Sequence, residues 1–461
     1  MESNLNYELN LEGIKKTIKG NHSQGHNCKL VPFAANDKKI VLDFKGVTGA
    51  FSRLISNKSK IKDTEFDIEI LIKEIQEKAT TNEKDAKALK SIIKSMFISN
   101  DELINFDIRT LNYIKSDSSE EKIANFIYSV LFDEKLKEFS KEIYSEEVNN
   151  IMYKLILESL PQLKEKNSIV EDYMNNIPII KERFSEDMRF LLSHKELYKE
   201  SLQRVLEIYY FFYISQLSLK LNNFEKADYN RIEKIYFTLN TEKSVSKSRK
   251  AYEYGFRFLK ENMLNIFSHA IILEFLNTLT NKNLNVNYLT LFEEINDLNR
   301  DNFSENMTKI INAYKERWSV DTPWSDMKIS KNSSGDYAYD KIYELFNAVD
   351  YQFNVKGSKR SRAYNSYSNW IVKFTQEKMA KRRGTLGYVL SLSDDDIILL
   401  TKISMKDNDK IKLKLLFEEF EKRGIYFDRD SKAKVLQLYE RLNIIEKKSD
   451  SGDAMYVKTI L

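Results

Sequence analysis

Apolar residues recur at helical spacing along most of the chain. From Thr64 to about Asp301, charged residues separate apolar pairs three and four residues apart, as in DIEILIKEIQEK and KIANFIYSVLFDEKLKEF. The uncharged run IYYFFYISQLSL, from Ile208 to Leu219, is shorter than the roughly 20 residues that a membrane helix needs. The pattern predicts a large helical body over residues 61–320, and this run is predicted to be a buried helix.

The segments on either side of this body follow other patterns. In residues 1–60, KLVPF and KKIVLDFKG are short β-type runs, and VTGAFSRLI is typical of the start of a helix. These runs predict a small N-terminal α/β segment. Turn residues gather at 318–340, including Pro323 and Gly335, and predict a boundary loop that opens a segment over residues 321–383.

The last 78 residues, 384–461, begin with two predicted helices. Ser393 is followed three residues later by Asp396, which is the spacing of a capping box, and IILLTKI continues the helix to about Met405. KIKLKLLFEEFEKRG then places four apolar residues on one face, and Gly424 is positioned to end the second helix.

A third helix and a hairpin complete this segment. DRDSKAKVLQLYERL has Asp428 or Asp430 as its N-cap and an apolar stripe at helical spacing. The runs IIEKK and AMYVK flank the turn signal SDSGD and predict a β-hairpin. Three helices followed by a hairpin is the order of a winged helix-turn-helix, in which the third helix enters the DNA major groove.

The polar stripe of the third helix is suited to contact with DNA. Lysine binds phosphate, glutamine can pair with adenine and arginine with guanine, and a small residue allows close approach. The residues concerned are Ala433, Lys434, Gln437 and Arg441, with Lys447 and Lys448 at the hairpin. A solvated helix face carries the same residue types, so a module that binds only protein remains an alternative interpretation.

Composition and charge sharpen this picture. Charged residues at 31% with only 4 prolines and 12 glycines favour a mainly α protein, and Cys28, the only cysteine, excludes an internal disulfide. Without a recognisable signal peptide, the chain is expected in the cytoplasm with no membrane partner. The net charge is +4, yet residues 354–383 contain nine basic residues and one acid. This segregation is typical of nucleic-acid binding. The cations predicted to contact phosphate are Lys359, Arg360, Arg362, Lys381, Arg382 and Arg383.

Aromatic residues alternate with these cations, and two interpretations compete. Basic and aromatic side chains together can hold phosphates and stack on bases. The aromatic residues are also spaced as the buried face of a helix, which we favour for them. The residues with that spacing are Tyr367, Trp370, Ile371 and Phe374, preceded by Tyr364.

Candidate chemistry in the sequence is sparse. Gly20 and Gly25 have the spacing of a phosphate loop, but His26 follows where lysine is required, so nucleotide binding is not expected. His22, His26 and Cys28 lack a fourth metal ligand and predict a polar loop, so no metal or cofactor is expected. His194 and His269 lie in helical patterns and are expected to be structural.

One fragment supports an enzymatic alternative. Asp43-x-Lys45 at the end of an apolar run resembles half of the motif with which metal-dependent nucleases hold a scissile phosphate. The chemistry requires a second acid, and Asp37 or the more distant Glu12 are the available candidates. The alternative interpretation is an edge strand that ends in polar residues.

The C-terminal sequence also resembles a known family. RRGTLGYVLSLSDDDIILLTKI, the RGIYFD turn and the SDSGDAMYV ending are similar to the DptG (DndG) proteins of bacterial DNA phosphorothioation-dependent restriction, over about a quarter of the chain. The resemblance implies a subunit that acts with ATP-hydrolysing DptF-like and DptH-like partners on DNA without the backbone sulfur mark. It supplies no catalytic residues to carry over.

Together these patterns predict a mainly α protein with a large helical body, a small N-terminal α/β segment and a C-terminal winged helix-turn-helix. The expected function is that of a non-catalytic DNA-binding and assembly subunit of a restriction complex. Two alternatives remain open: a nuclease subunit that uses Asp43 and Lys45, and a helical scaffold whose winged helix binds only protein.

Overall fold

The structure, a computed structural model, is mainly helical. It describes residues 11–19, 28–33, 39–59, 67–79, 82–100, 102–165, 173–174, 177–243, 245–278, 286–295, 299–328, 332–447 and 455–460. The helices are α1 Leu11–Lys19, α2 Lys45–Ile55, α3 Ile68–Lys78, α4 Glu83–Phe97, α5 Ser118–Leu131, α6 Glu134–Ser145, α7 Ile151–Ser159, α8 Pro178–Ser193, α9 Lys195–Asn222, α10 Lys250–Glu253, α11 Phe256–Met263, α12 Ile266–Thr278, α13 Tyr288–Glu294, α14 Arg300–Arg317, α15 Asp340–Asn354, α16 Ser361–Lys378, α17 Asp394–Met405, α18 Leu413–Glu421 and α19 Arg429–Arg441.

Short strands form three small sheets within the described residues. The strands are β1 Ile98–Ser99, β2 Glu102–Leu103, β3 Tyr236–Leu239, β4 Ala380–Arg382, β5 Tyr388–Leu392, β6 Lys410–Lys412, β7 Tyr426–Phe427, β8 Ile445–Lys447 and β9 Met455–Lys458. β1 and β2 form a hairpin, β6, β9 and β8 form an antiparallel sheet in that order, and the third sheet has the order β4-β5-β3-β7.

One continuous hydrophobic core contains residues from all four predicted segments, from Ile14 to Val457. Helix α9 crosses its centre, and every residue from Ile208 to Leu219 is buried. The predicted buried helix is confirmed. A smaller cluster outside this core joins α3, α4 and α7 around Ile75, Ile93 and Ile156.

The four-stranded sheet connects the body to the C-terminal residues. β3 belongs to the body and lies between β5 and β7, with which it pairs in parallel. β4 pairs antiparallel with β5 at one edge. Because β3 takes the central position, the C-terminal segment shares both backbone hydrogen bonds and hydrophobic core with the body.

The predicted N-terminal strands are an error. Among the described residues of 28–33 and 39–44, neither the KLVPF run nor the KKIVLDFKG run forms a strand. Val41 and Phe44 are buried, and the Phe44 ring packs on Tyr210 of α9 and Phe374 of α16 at 5.3 and 5.0 Å. The apolar side chains of this segment are buried against helices, so no neighbouring strand is needed to cover them. Helix α2 follows, as VTGAFSRLI predicted.

The helices that the structure describes were also compared with the dimensions of a lipid bilayer. None combines the length and the apolar composition required to cross one.

Candidate nucleic-acid interface

The first α-helix of the C-terminal unit, residues 384–447 and 455–460, begins with the predicted capping box. Ser393 Oγ accepts a hydrogen bond from the Asp396 amide at 3.1 Å, and Asp396 Oδ2 accepts one from the Ser393 amide at 2.9 Å. Both bonds satisfy backbone donors at the start of α17. Asp396 also binds Arg204 of α9 at 2.6 Å, so the cap is fixed to the body.

The remaining elements of this unit also follow the predicted order. α18 and α19 occupy the two later apolar stripes, and β8 and β9 pair antiparallel as a hairpin. The turn between them and Lys448 lie outside the described residues. β6 was not predicted, because Lys410–Lys412 carries little apolar signal. β6 pairs with β9, and after β5 the unit has the element order α17, β6, α18, β7, α19, β8 and β9.

Helix α19 turns its polar stripe toward solvent. Val435, Leu438 and Tyr439 are buried in the core. The predicted contact residues of this helix are all exposed, as is Lys447 on β8: Ala433, Lys434, Gln437 and Arg441. Amphipathic spacing therefore located the solvent face of the helix correctly.

The exposed side chains of α19 make only surface contacts. Lys434 Nζ donates to Gln437 Oε1 at 2.9 Å, Arg441 pairs with Asp394 at 3.0 Å and Lys447 pairs with Glu440 at 3.2 Å. Exposed pairs of this kind contribute between zero and about 1 kcal/mol. A phosphate group could therefore replace the carboxylates at small cost.

The RGIYFD turn, residues 423–428, holds the C-terminal unit on the body. Arg423 Nη2 and Nε bind the two oxygens of Asp187 on α8 at 2.6 and 2.8 Å, and both side chains are fully buried. Tyr209 of α9 donates to the same carboxylate at 2.5 Å. Burial alone would lower the pKa of Arg423, but Asp187 raises it overall, so the guanidinium stays charged.

The remaining residues of this turn complete the attachment. Gly424 has a φ of +75°, and a Cβ there would lie 2.5 Å from the Phe212 ring, which leaves glycine as the residue that fits. Tyr426 and Phe427 form β7 against β3. Asp428 caps α19 and receives two hydrogen bonds from Arg249 at 2.7 and 2.9 Å.

This attachment determines which part of α19 is accessible. Ser431, in the first turn, is buried and hydrogen-bonded to Glu242 and Arg249 of the body. Lys434, Gln437 and Arg441 lie beyond that turn and are open to solvent. The body therefore covers one side of the first turn, while Arg429 and Asp430 of that turn and the rest of the polar stripe stay accessible.

Helix α16 separates the aromatic residues of the basic segment from its cations. Tyr364, Tyr367, Trp370 and Phe374 are at most 4% exposed, and the preference for a buried aromatic face is confirmed. Arg362 and Lys373 lie on the opposite, exposed side. These two residues are eleven positions apart, which is about three helical turns, so they lie on almost the same face of α16. Neither cation forms an ion pair within the part of the chain that the structure describes.

Arg360 does not lie on a solvent face, contrary to the prediction. It is 6% exposed, and its guanidinium carbon lies 4.1 Å from the Trp318 ring centroid and 4.4 Å from that of Phe353. Nη1 donates to Tyr314 Oη at 3.0 Å and to Gln352 Oε1 at 2.8 Å. Burial lowers the pKa of Arg360. The side chain fills a structural cage and is removed from the candidate surface.

The three cations after α16 differ among themselves. Arg383 is partly buried and donates to the backbone oxygens of Leu239, at 2.8 Å, and Glu242, so it serves the body rather than a solvent face. Lys381 is exposed although Nζ contacts the Asn240 oxygen at 2.9 Å, and Arg382 is exposed. Lys359 is also exposed and pairs with Asp321 at 2.9 Å. Four predicted phosphate contacts of this segment remain, Lys359, Arg362, Lys381 and Arg382.

The Asp43-x-Lys45 fragment is engaged in local contacts. Asp43 Oδ1 accepts hydrogen bonds from the Lys45 amide at 3.0 Å and from Gln203 Nε2 at 3.3 Å, while Lys45 Nζ binds Glu102. Asp37 and the Glu12 side chain lie outside the described residues. Asp43 therefore precedes a helix instead of ending a strand, which removes one premise of the nuclease alternative.

The other chemical candidates of the sequence have structural surroundings. Cys28 is buried, and burial raises the pKa of its thiol to about 12. Burial lowers the pKa of His269 to about 3, and its Nδ1 lies 2.9 Å from Tyr288 Oη, so that ring is neutral. His22 and His26 lie outside the described residues. Within the described ranges, no three His, Cys, Asp or Glu side chains gather as a metal site.

Comparison with known proteins adds no family assignment, because neither the family models nor the curated proteins match the chain.

Sequence reasoning missed the residues that position the candidate interface: Asp187, Glu242, Arg249 and Arg423. RGIYFD was recognisable as a specific stretch, but the sequence held no signal for the partners of Arg423 and Asp428, which lie more than 170 residues away.

Proposed function

We propose that the chain is a non-catalytic DNA-binding subunit whose C-terminal unit is a winged helix-turn-helix. The observation that supports the proposal best is the combination of the three-stranded sheet β6-β9-β8 with helices α17, α18 and α19. The polar stripe of α19 faces solvent. In such an arrangement the third helix enters the major groove and the hairpin lies along the backbone. The exposed cations of α16 and β4 supply further phosphate contacts.

The biological setting of the proposal comes from the resemblance to the DptG proteins. We propose that the chain assembles with DptF-like and DptH-like subunits and directs their ATP-driven activity to DNA without the sulfur mark. Asp43 precedes a helix instead of ending a strand, which weakens the nuclease alternative. A restriction subunit has to act at many unmarked sites, which favours phosphate contacts over base recognition.

The test is a comparison of variants of equal charge. Replacement of Lys434, Gln437 and Arg441 by alanine is expected to lower duplex affinity about tenfold or more at low salt, because two phosphate contacts are lost. Sequence preference should not change. A control that replaces Lys135 and Lys141 on α6 removes the same charge and should bind normally. Fluorescence anisotropy measures the duplex affinity of both variants, and circular dichroism checks that both are folded.

The opposite result has a defined meaning. If the α19 variant binds duplex DNA as tightly as the unmodified protein, the C-terminal unit is not the DNA-binding surface. The interaction scaffold is then the better account. A change of sequence preference would instead mean that α19 reads bases, since a bidentate contact discriminates by about 1–3 kcal/mol.

A further inference from the structure

A row of aromatic side chains crosses the surface beside the start of α19. Phe258, Tyr254, Tyr236 and Tyr426 follow one another with ring-centroid separations of 5.9, 6.4 and 5.8 Å. Tyr254 is 41% exposed, and the others are partly exposed. Tyr236 belongs to β3, Tyr254 follows α10, Phe258 lies in α11, and Tyr426 comes from β7, which is far from the others in sequence.

The sheet register explains why two of these tyrosines face outward. Tyr236 pairs with Tyr426 across β3 and β7, so both side chains lie on one face of the sheet. Their neighbours Phe237 and Phe427 point to the other face and are buried. The two phenylalanines are therefore buried in the core, while the two tyrosines stay partly exposed on the outer face of the sheet.

A recess of about 630 Å³ lies between the two outward tyrosines and the first turn of α19. A volume of this size is in the range of ligand-binding pockets. Five basic and three acidic side chains line it. Two acids are neutralised internally, since Asp428 binds Arg249 at 2.7 Å and Glu421 binds Lys432 at 3.3 Å. The third, Asp430, is 67% exposed at the rim and lies 3.5 Å from Arg249.

The remaining cations of the recess are available to an anion. Lys234, Lys250 and Arg429 are exposed and form no ion pair with any described residue. Lys250 Nζ lies over the Tyr236 ring, 5.8 Å from its centroid, so a cation is held at one face of that ring. Aromatic faces flanked by unpaired cations suit a ligand that combines a flat ring with a phosphate.

We propose that this row, Phe258–Tyr254–Tyr236–Tyr426, is a stacking surface for unpaired nucleotides of single-stranded DNA. Bases inside a duplex are already stacked on their neighbours and cannot use the row, whereas unpaired bases stack on aromatic side chains independently of sequence. Arg429 begins α19 and lines the recess, so a strand separated from a duplex on α19 would reach the row directly. The inference rests on the proposed DNA-binding function and adds the form of DNA that is held.

The test uses labelled oligo-dT and a duplex of the same length with the full chain. Tyr254→Leu combined with Tyr426→Leu should weaken oligo-dT binding about tenfold, because base stacking is lost, and should leave duplex affinity unchanged. Tyr254→Phe combined with Tyr426→Phe keeps the rings and should bind oligo-dT normally. Photo-crosslinking of the unmodified protein to oligonucleotides that contain 5-iododeoxyuridine should label Tyr236, Tyr254 or Tyr426. This experiment tests the stacking surface even if the leucine variant does not fold.

Several outcomes would overturn the proposal. Normal oligo-dT binding by a folded leucine variant, crosslinks outside the row, or equal losses for duplex and single strand would each do so. The row would then be assigned to contact with protein. Duplex binding without oligo-dT binding would refute this inference and leave the proposed function intact, whereas loss of duplex binding in the α19 variant alone bears on the proposed function.

Discussion

Replacement of Arg423 by alanine is expected to reduce the free energy of unfolding by about 3–5 kcal/mol, because the buried carboxylate of Asp187 would lose its counter-charge. Asp187 is fully buried, and among the residues that the structure describes it would keep one hydrogen bond, from Tyr209 at 2.5 Å. The same change removes the ion pair between α8 and the turn that follows α18. Denaturant unfolding followed by circular dichroism measures the loss.

Two controls separate the buried charge from the surface charge next to it. Lys422 is 54% exposed and pairs with Glu419 at 2.6 Å, so Lys422→Ala should cost about 1 kcal/mol or less. Arg423→Met combined with Asp187→Leu removes both buried charges and should be less destabilising than Arg423→Ala alone. If Arg423→Ala and Lys422→Ala have equal effects, the RGIYFD turn does not hold the C-terminal unit in the way described.

Neutralisation of the exposed cations of α16 and β4 is expected to weaken duplex binding about a hundredfold or more at 0.1 M salt. The variant replaces Arg362, Lys373, Lys381 and Arg382 by glutamine, and all four side chains are exposed. Each lost phosphate contact lowers the slope of log affinity against log salt by about 0.9, so four contacts lower it by about 3 to 4 units. Affinity measured over a salt series gives the slope directly.

A charge-preserving control accompanies this prediction. Arg362→Lys combined with Arg382→Lys keeps both charges and should leave the slope nearly unchanged, because phosphate attraction requires the charge more than the guanidinium shape. Arg360 and Arg383 are left intact in both variants, since their contacts stabilise the body. A slope that does not change after neutralisation would exclude this segment from the DNA surface.

Local features of the sequence predicted the C-terminal elements well. The helical spacing of apolar residues located α17, α18 and α19, and the Ser393 capping box has the expected geometry. The buried face of α16 was identified because its aromatic residues recur at helical spacing. Each of these signals lies within a few residues of the element that it describes, and short-range patterns are what sequence reveals most directly.

Features that depend on distant residues could not be predicted in this way. A count of charges cannot distinguish a buried arginine from an exposed one. The burial of Arg360 depends on Trp318 and Phe353, which belong to other elements. The pairing of β3 with β5 and β7 joins residues more than 150 positions apart. The N-terminal alternation looked like strands because burial by helices leaves a similar short pattern.

The most direct measurement of the central claim is a disulfide crosslink between α19 and DNA. The only native cysteine, Cys28, is buried with its thiol pKa raised to about 12, so it does not compete for disulfide exchange. Gln437→Cys places a thiol on the exposed stripe of α19, and Lys141→Cys places one on α6 as the control. A duplex with a thiol-tethered base is predicted to crosslink to Gln437→Cys and not to Lys141→Cys. Equal crosslinking at both positions, or none at Gln437→Cys while the DNA is bound, would contradict the account.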